Sequence, residues 1–182
     1  MTDLVLTLIG ADRPGLVEAV ADVVASNGGN WLESRMAHLA GKFAGILRIE
    51  VPADKASALL AALADLEARG LKVVGESAAG ASDGATSGRT LDLELVGLDR
   101  PGIVREISQL LASSGANVEE LSTDRTSAAM SGEMLFVAKA RVRLPSNSDL
   151  STLRAALERL ASDLMVEIKL VETALEAKPR KA

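Results

Sequence analysis

The chain has 182 residues, 48% of them hydrophobic but only 2% aromatic, and a formal net charge of −5. The core must therefore come from Leu, Val, Ile and Ala, and an acidic balance shared by both halves excludes the clustered basic footprint of a nucleic-acid binder. The absence of cysteine removes disulfides, thiolate metal sites and cysteine nucleophiles together, and no basic leader or uncharged run near ~20 apolar residues is present, so a soluble cytoplasmic protein is expected.

In chain order, Leu4, Leu6 and Leu8 alternate with Val5, Thr7 and Ile9, the period-two pattern of a strand. A turn at Gly10 follows, and Pro14 occupies the place that proline favours at the start of a helix. Leu16, Val17, Val20, Val23 and Val24 fall on one helical face, and Gly28 and Gly29 end that helix. Residues 30–39 and 42–51 read as two strands joined at Ala40-Gly41, with Gly45 weakening the second. Pro52 stops it. Leu59, Leu60, Leu63 and Leu66 then form a second helical stripe, Gly70 ends it, and 71–76 is a last strand.

This order recurs. Residues 4–30 align without gaps on 91–117, and 13 of the 27 pairs are identical. The second copy carries Ile103, Val104, Ile107, Leu110 and Leu111 on its first helix and a hairpin over about 117–144. Leu153, Leu157 and Leu160 mark its second helix, and 165–171 its closing strand. Between the copies, 77–88 contains only Ser, Ala, Gly, Thr and Asp, the composition of a flexible linker. The expected organisation is a first domain over 1–77, a linker over 78–88, a second domain over 89–174 and a charged tail over 175–182. The order βαββαβ within ~75 residues is the ferredoxin-like split motif, an α+β fold with a four-stranded antiparallel sheet and two helices on one face. Its other face lacks cover, and Val5, Ile9, Leu135 and Val137 are expected there. An apolar second face predicts association, most simply a homodimer.

The pattern Gly-x-Asp-Arg-Pro-Gly after a first strand, with a helix ending Ser-x-Gly-x-Asn, stands at 10–15 with 26–30 and again at 97–102 with 113–117. It resembles the ACT domain, a ligand-binding regulatory module, over nearly the whole chain. Two bare copies of this length, with Asn117-Val-Glu-Glu-Leu in the second, resemble the glycine cleavage system transcriptional repressor family.

Physically, Arg13 precedes a proline and is pushed towards extended backbone, which predicts a helix starting at Pro14. Residues 15–17 then offer unpaired N–H groups at a positive helix end, a place for a carboxylate. Gly15 leaves the approach open, and Asp12 lies where it would accept from an ammonium group. The pair would grip both ends of an α-amino acid. Equally, Asp12 and Asp99 can complement a helix dipole or pair with an arginine, and Pro14, Gly15 and Gly28 can be punctuation alone. The resemblance implies ligand contacts from Gly10, Asp12, Gly15 and Asn30 and from Gly97, Asp99, Gly102 and Asn117. Arg13 and Arg100, inside the motif, complete the candidate set.

Other features read more plainly. His38 is the only histidine and is expected to be a packed or surface residue, so no metal site and no cofactor is expected. Lys139, Arg141 and Arg143 alternate on one strand face, with Asp92 and Glu94 on the adjacent strand as their expected partners. Glu119 and Glu120 should point to opposite faces. Trp31 reads equally as core or as a stacking surface, residues 124–131 as an irregular contact loop with Met130 at its tip, and Lys178, Arg180 and Lys181 as solvated. With no Tyr, no Cys and one His, catalysis is not expected. The reading is a non-enzymatic regulator that binds an amino acid such as glycine and controls a regulatory protein partner without direct contact with nucleic acid or membrane. The alternative is a detached regulatory subunit of an amino-acid-pathway enzyme.

Overall fold

The computed structural model describes residues 1–78, 88–128 and 132–173. It divides into two units, 1–83 and 84–182, each taken by itself below. The first unit contains strand β1 (Thr2–Ala11), helix α1 (Leu16–Ser26), strands β2 (Asn30–Leu39) and β3 (Lys42–Val51), helix α2 (Ala56–Ala64) and strand β4 (Leu71–Ser77). Short 3₁₀ segments at Ala53–Lys55 and Asp65–Arg69 flank α2. The second unit repeats the order with β5 (Gly88–Leu98), α3 (Ile103–Ser113), β6 (Asn117–Ser127), β7 (Met134–Pro145), α4 (Leu150–Leu164) and β8 (Val166–Glu172). The antiparallel sheets have strand orders β2-β3-β1-β4 and β6-β7-β5-β8, the arrangement expected of a split βαββαβ unit.

Period-two patterning decides which face is buried. Leu4, Leu6 and Leu8 of β1 join Leu47, Ile49 and Val51 of β3 and Leu16, Val20 and Val24 of α1 in one aliphatic core. Leu91, Leu93 and Leu95 do the same with Val142, Ile103, Ile107 and Leu153. At about 25 cal/mol per Å² of apolar surface removed from water, these rows dominate the stability of each unit. Gly28 and Gly115, in left-handed backbone, terminate α1 and α3. The opposite sheet faces keep Val5, Ile9, Ile46 and Val74 exposed in the first unit and Val96 and Leu98 in the second. The register sets Val96 against Val137 and Leu98 against Leu135, so the apolar second face of the sequence reading is present.

Several local expectations need correction. Neither α1 nor α3 starts at its proline: Gly15 and Gly102 lie between, with φ of +86° and +97°, and the helices begin at Leu16 and Ile103. Left-handed backbone cannot continue a right-handed helix, so the glycine, not the proline, marks the boundary. Val17 and Val104 are exposed because the buried stripe is satisfied by Leu16, Val20 and Val24 and by Ile103, Ile107 and Leu111. Met165 does not open the last strand. It is a left-handed C-cap of α4, 82% exposed. Residues 124–127 are not irregular but extend β6, while Met130, most of the linker and the basic tail lie outside the described residues.

Candidate functional site

In both units the repeated loop is pinned at the hairpin end of the sheet. The Asp12 N–H donates to the Gly41 carbonyl and the Asp99 N–H to the Met134 carbonyl, each at 2.9 Å. The left-handed glycine then turns the chain into the helix. The Gly15 and Gly102 carbonyls accept from the N–H groups of Ala19 and Glu106 at 3.0 Å, and neither helix has a side-chain cap. Helix α4 is built differently: Asp149 accepts from the Ser151 N–H at 2.9 Å and from the Ser151 and Thr152 hydroxyls. The Thr152 hydroxyl leads, with Ser151, in holding the Asp149 carboxyl down at about 2. The first-turn amides of α1 and α3 have no such side chain assigned to them, although helical geometry leaves them without intrahelical partners.

The two loops differ in what faces their carboxylate. Asp12 Oδ2 lies 3.6 Å from Nε2 of His38, an ion-pair separation too long for a hydrogen bond. Asp99 Oδ2 lies 2.7 Å from Nε of Arg125, the distance of a charge-assisted hydrogen bond. The Asp12 side chain is 45% exposed and that of Asp99 24%. The loop arginines make local surface contacts. The Arg13 guanidinium donates to the Arg69 carbonyl, and that of Arg100 lies 3.4 Å from Glu106. Beside the first loop a cleft of about 330 Å³ opens between Arg13, Gly15, Glu18 and Asp22 on one side and Leu66 and Arg69 on the other. It offers two cations and two carboxylates over an aliphatic floor. Glu18 and Asp22 correspond by the 87-residue offset to Arg105 and Gln109, so this charge pattern belongs to the first copy.

The other candidates separate from this cluster. Gly10 and Gly97 are buried within strands. A Cβ on Gly10 would meet the Gly70 carbonyl oxygen at 2.7 Å, and one on Gly97 would meet Val166 Cγ1 at 2.2 Å. Close packing of neighbouring strands accounts for both. Gly15 and Gly102 are required by positive φ, since a Cβ there would make only ordinary contacts. Asn30 pairs with Glu50 and donates to it at 3.1 Å, whereas the Asp12 loop leaves the sheet beside Lys42. Eight residues of β3 separate these points, about 26 Å at ~3.3 Å per residue. Asn117 and Asp99 stand equally far apart along β7. Within one unit, Asn30 and Asn117 do not converge on the loop.

Trp31 packs against the core and donates to Ser34 at 3.3 Å. The basic row of β7 is paired as expected, Lys139 with Glu94 at 3.5 Å and Arg141 with Asp92 at 3.2 Å. The Thr173 hydroxyl, ahead of Arg141, lowers the Asp92 carboxyl below its usual range. The expectation for Glu119 and Glu120 is overturned: a bulge between Val118 and Glu120 brings both to the arginine face, Glu119 to Arg143 and Glu120 to Arg141. Sequence reasoning missed Arg125 as the partner of Asp99. Extending the offset of 87 past residue 117 would have found it, because it aligns Arg125 with His38. Among the described residues no group of three His, Cys, Asp or Glu is placed to hold a metal ion, and no helix is long and apolar enough to cross a membrane.

The ACT-domain family matches twice, over residues 2–74 and 86–166. The chain is a tandem ACT-domain protein. ACT domains are small-ligand regulatory domains, and the repeated loop is the feature the two domains share most closely in sequence. A UPF0237 protein of Methanococcus maripaludis is 35% identical over 77 residues, 42% of this chain and 79% of the relative. A protein of unknown function from Galdieria sulphuraria superposes with a TM-score of 0.80 at 30% identity, covering 95% of this ACT protein and 99% of the other. A candidate glycine cleavage system transcriptional repressor superposes at 0.71 with 22% identity, covering 94% and 97%. At that identity the last likeness is one of fold.

Proposed function

We propose that this tandem ACT protein is a non-enzymatic regulator that binds a free amino acid such as glycine at its repeated loop and controls a partner protein. The observation that carries this reading is the combination of an Asp carboxylate with the uncapped first turn of a helix. The carboxylate accepts from an ammonium group, and the first-turn amides of Leu16, Val17 and Glu18 face a carboxylate at the positive end of the helix. Arg13 and Gly15 shape the turn between the two in the first domain, and Arg100 and Gly102 do so in the second.

A few charge-assisted hydrogen bonds at about 1.5–3 kcal/mol each, less the cost of association, give dissociation constants of roughly micromolar to millimolar. That suits a sensor of a metabolite pool. Regulation requires ligand affinity to differ between two states of the protein. The partner is a transcription regulator of glycine cleavage or amino-acid metabolism, a reading supported by the glycine cleavage repressor named among the structural neighbours. The acidic balance of the chain and the paired basic row of β7 favour action through protein contact over direct contact with nucleic acid. The working form is a cytoplasmic homodimer.

The test is calorimetric titration of the full chain with a panel of amino acids including glycine and serine. Saturable heat in the micromolar to millimolar range, lost for the same ligand in Asp12→Ala, is the expected result. Silence across the panel at millimolar concentration would exclude the amino-acid reading and leave a protein-binding scaffold.

A further inference from the structure

The 87-residue offset that aligns Asp12 with Asp99 also aligns His38 with Arg125, and the strand registers agree: His38 stands opposite Phe43 and Arg125 opposite Phe136. The same loop carboxylate therefore faces an imidazole in one copy and a guanidinium in the other. A guanidinium is charged at every relevant pH, and at 2.7 Å Arg125 occupies Asp99 directly. An imidazole, unlike a guanidinium, is a cation only when protonated. At 3.6 Å, His38 leaves Asp12 without a hydrogen bond from that ring. The groups around His38 are the Asp12 carboxylate from the loop, Phe43 opposite on β3 and Lys42 beside it.

We infer that the two loops are functionally unequal: Arg125 latches Asp99 and withdraws the second loop from ligand binding, leaving Asp12 as the carboxylate that receives a ligand's ammonium group. This assignment rests on the amino-acid reading above. Arg125 and His38 then decide which domain senses, although neither belongs to the loop.

Two measurements test the assignment. The first is glycine titration by calorimetry at pH 8 on the full chain. One site per chain is expected, weakened at least tenfold by His38→Arg, which rebuilds the latch in the first domain. Arg125→His should add a second site, and adding Asp99→Asn to that variant should remove it again. Two equivalent sites in the wild type, or no effect of His38→Arg, would overturn the inequality while leaving amino-acid binding intact. The second needs no ligand: amidation with methylamine driven by a triazinyl morpholinium coupling reagent, which activates ionised carboxylates directly, at pH 8, read by mass spectrometry. Asp12 should react severalfold faster than Asp99, and Arg125→His should bring Asp99 to the rate of Asp12. Equal wild-type rates would overturn the latch even if no amino acid binds. Unequal rates without glycine heat would retain the latch and discard the amino-acid reading.

Discussion

At the scale of single residues, the glycines of the repeated motif divide into two kinds with different physical reasons. Gly15 and Gly102 are fixed by backbone sign, because a φ near +90° costs an L-residue about 1–2 kcal/mol. Gly10 and Gly97 are fixed by space. A Cβ at Gly97 would overlap Val166, and one at Gly10 would press on a backbone carbonyl that cannot rotate away. Gly97→Ala and Gly10→Ala are therefore expected to cost about 1–3 kcal/mol each by overpacking. Thermal unfolding of the full chain reads this directly. Val166→Ala should recover part of the loss in Gly97→Ala, whereas no side-chain trimming should rescue Gly10→Ala. Equal tolerance of both alanines would mean that the strands yield more easily than their spacing implies.

At the scale of elements, the capping of α4 sets it apart from the helices that follow the motif. Asp149 satisfies the first turn of α4 through its carboxylate, and its pKa of about 2 lies below the ordinary 3.8. A depressed carboxylate contributes stability that is complete above the unfolded value and is lost as pH falls through the folded one. Asp149→Ala should lower the melting temperature by a few degrees at pH 7, with the gap to wild type closing between pH 4 and pH 2. Asp149→Asn, which keeps a capping oxygen but not the charge, should fall between Asp149→Ala and wild type at pH 7. A gap that persists unchanged at pH 2 would show that the charge is not what the cap contributes. The bulges in β2 and β6 act on the same scale. One extra residue resets the alternation, so Glu119 and Glu120 reach the same face and balance Arg143 and Arg141.

At the scale of the whole molecule, each sheet leaves a face uncovered by helices. Ile9, Ile46 and Val74 stand exposed in the first unit and Val96 and Leu98 in the second. An apolar row of this kind is the surface we propose for association. Ile46→Lys combined with Val74→Lys should shift the chain towards monomer in size-exclusion chromatography with light scattering, with little loss of melting temperature, because neither side chain is in the core. An unchanged molar mass would remove that face from the proposed dimer interface.

Much of the architecture was legible in the residues themselves. Alternation in Leu4–Leu8 and Leu91–Leu95 is a local property that assigns strand and buried face at once, and an offset of 87 shared by 13 identities needs no third dimension to be seen. The first-unit hairpin turn at Ala40-Gly41 was likewise readable from its glycine. The helix starts were not, because the sign of φ at Gly15 depends on how the loop meets the hairpin through the Asp12 N–H and the Gly41 carbonyl. Nor was the separation of Asn30 from Asp12. They are close in sequence but sit at opposite ends of the sheet, since α1 carries the chain back along the sheet between them. The fold class came from patterns that repeat along the chain. Which partner each loop carboxylate meets was decided only by tertiary pairing, because His38 and Arg125 stand 26 positions along the sequence from Asp12 and Asp99.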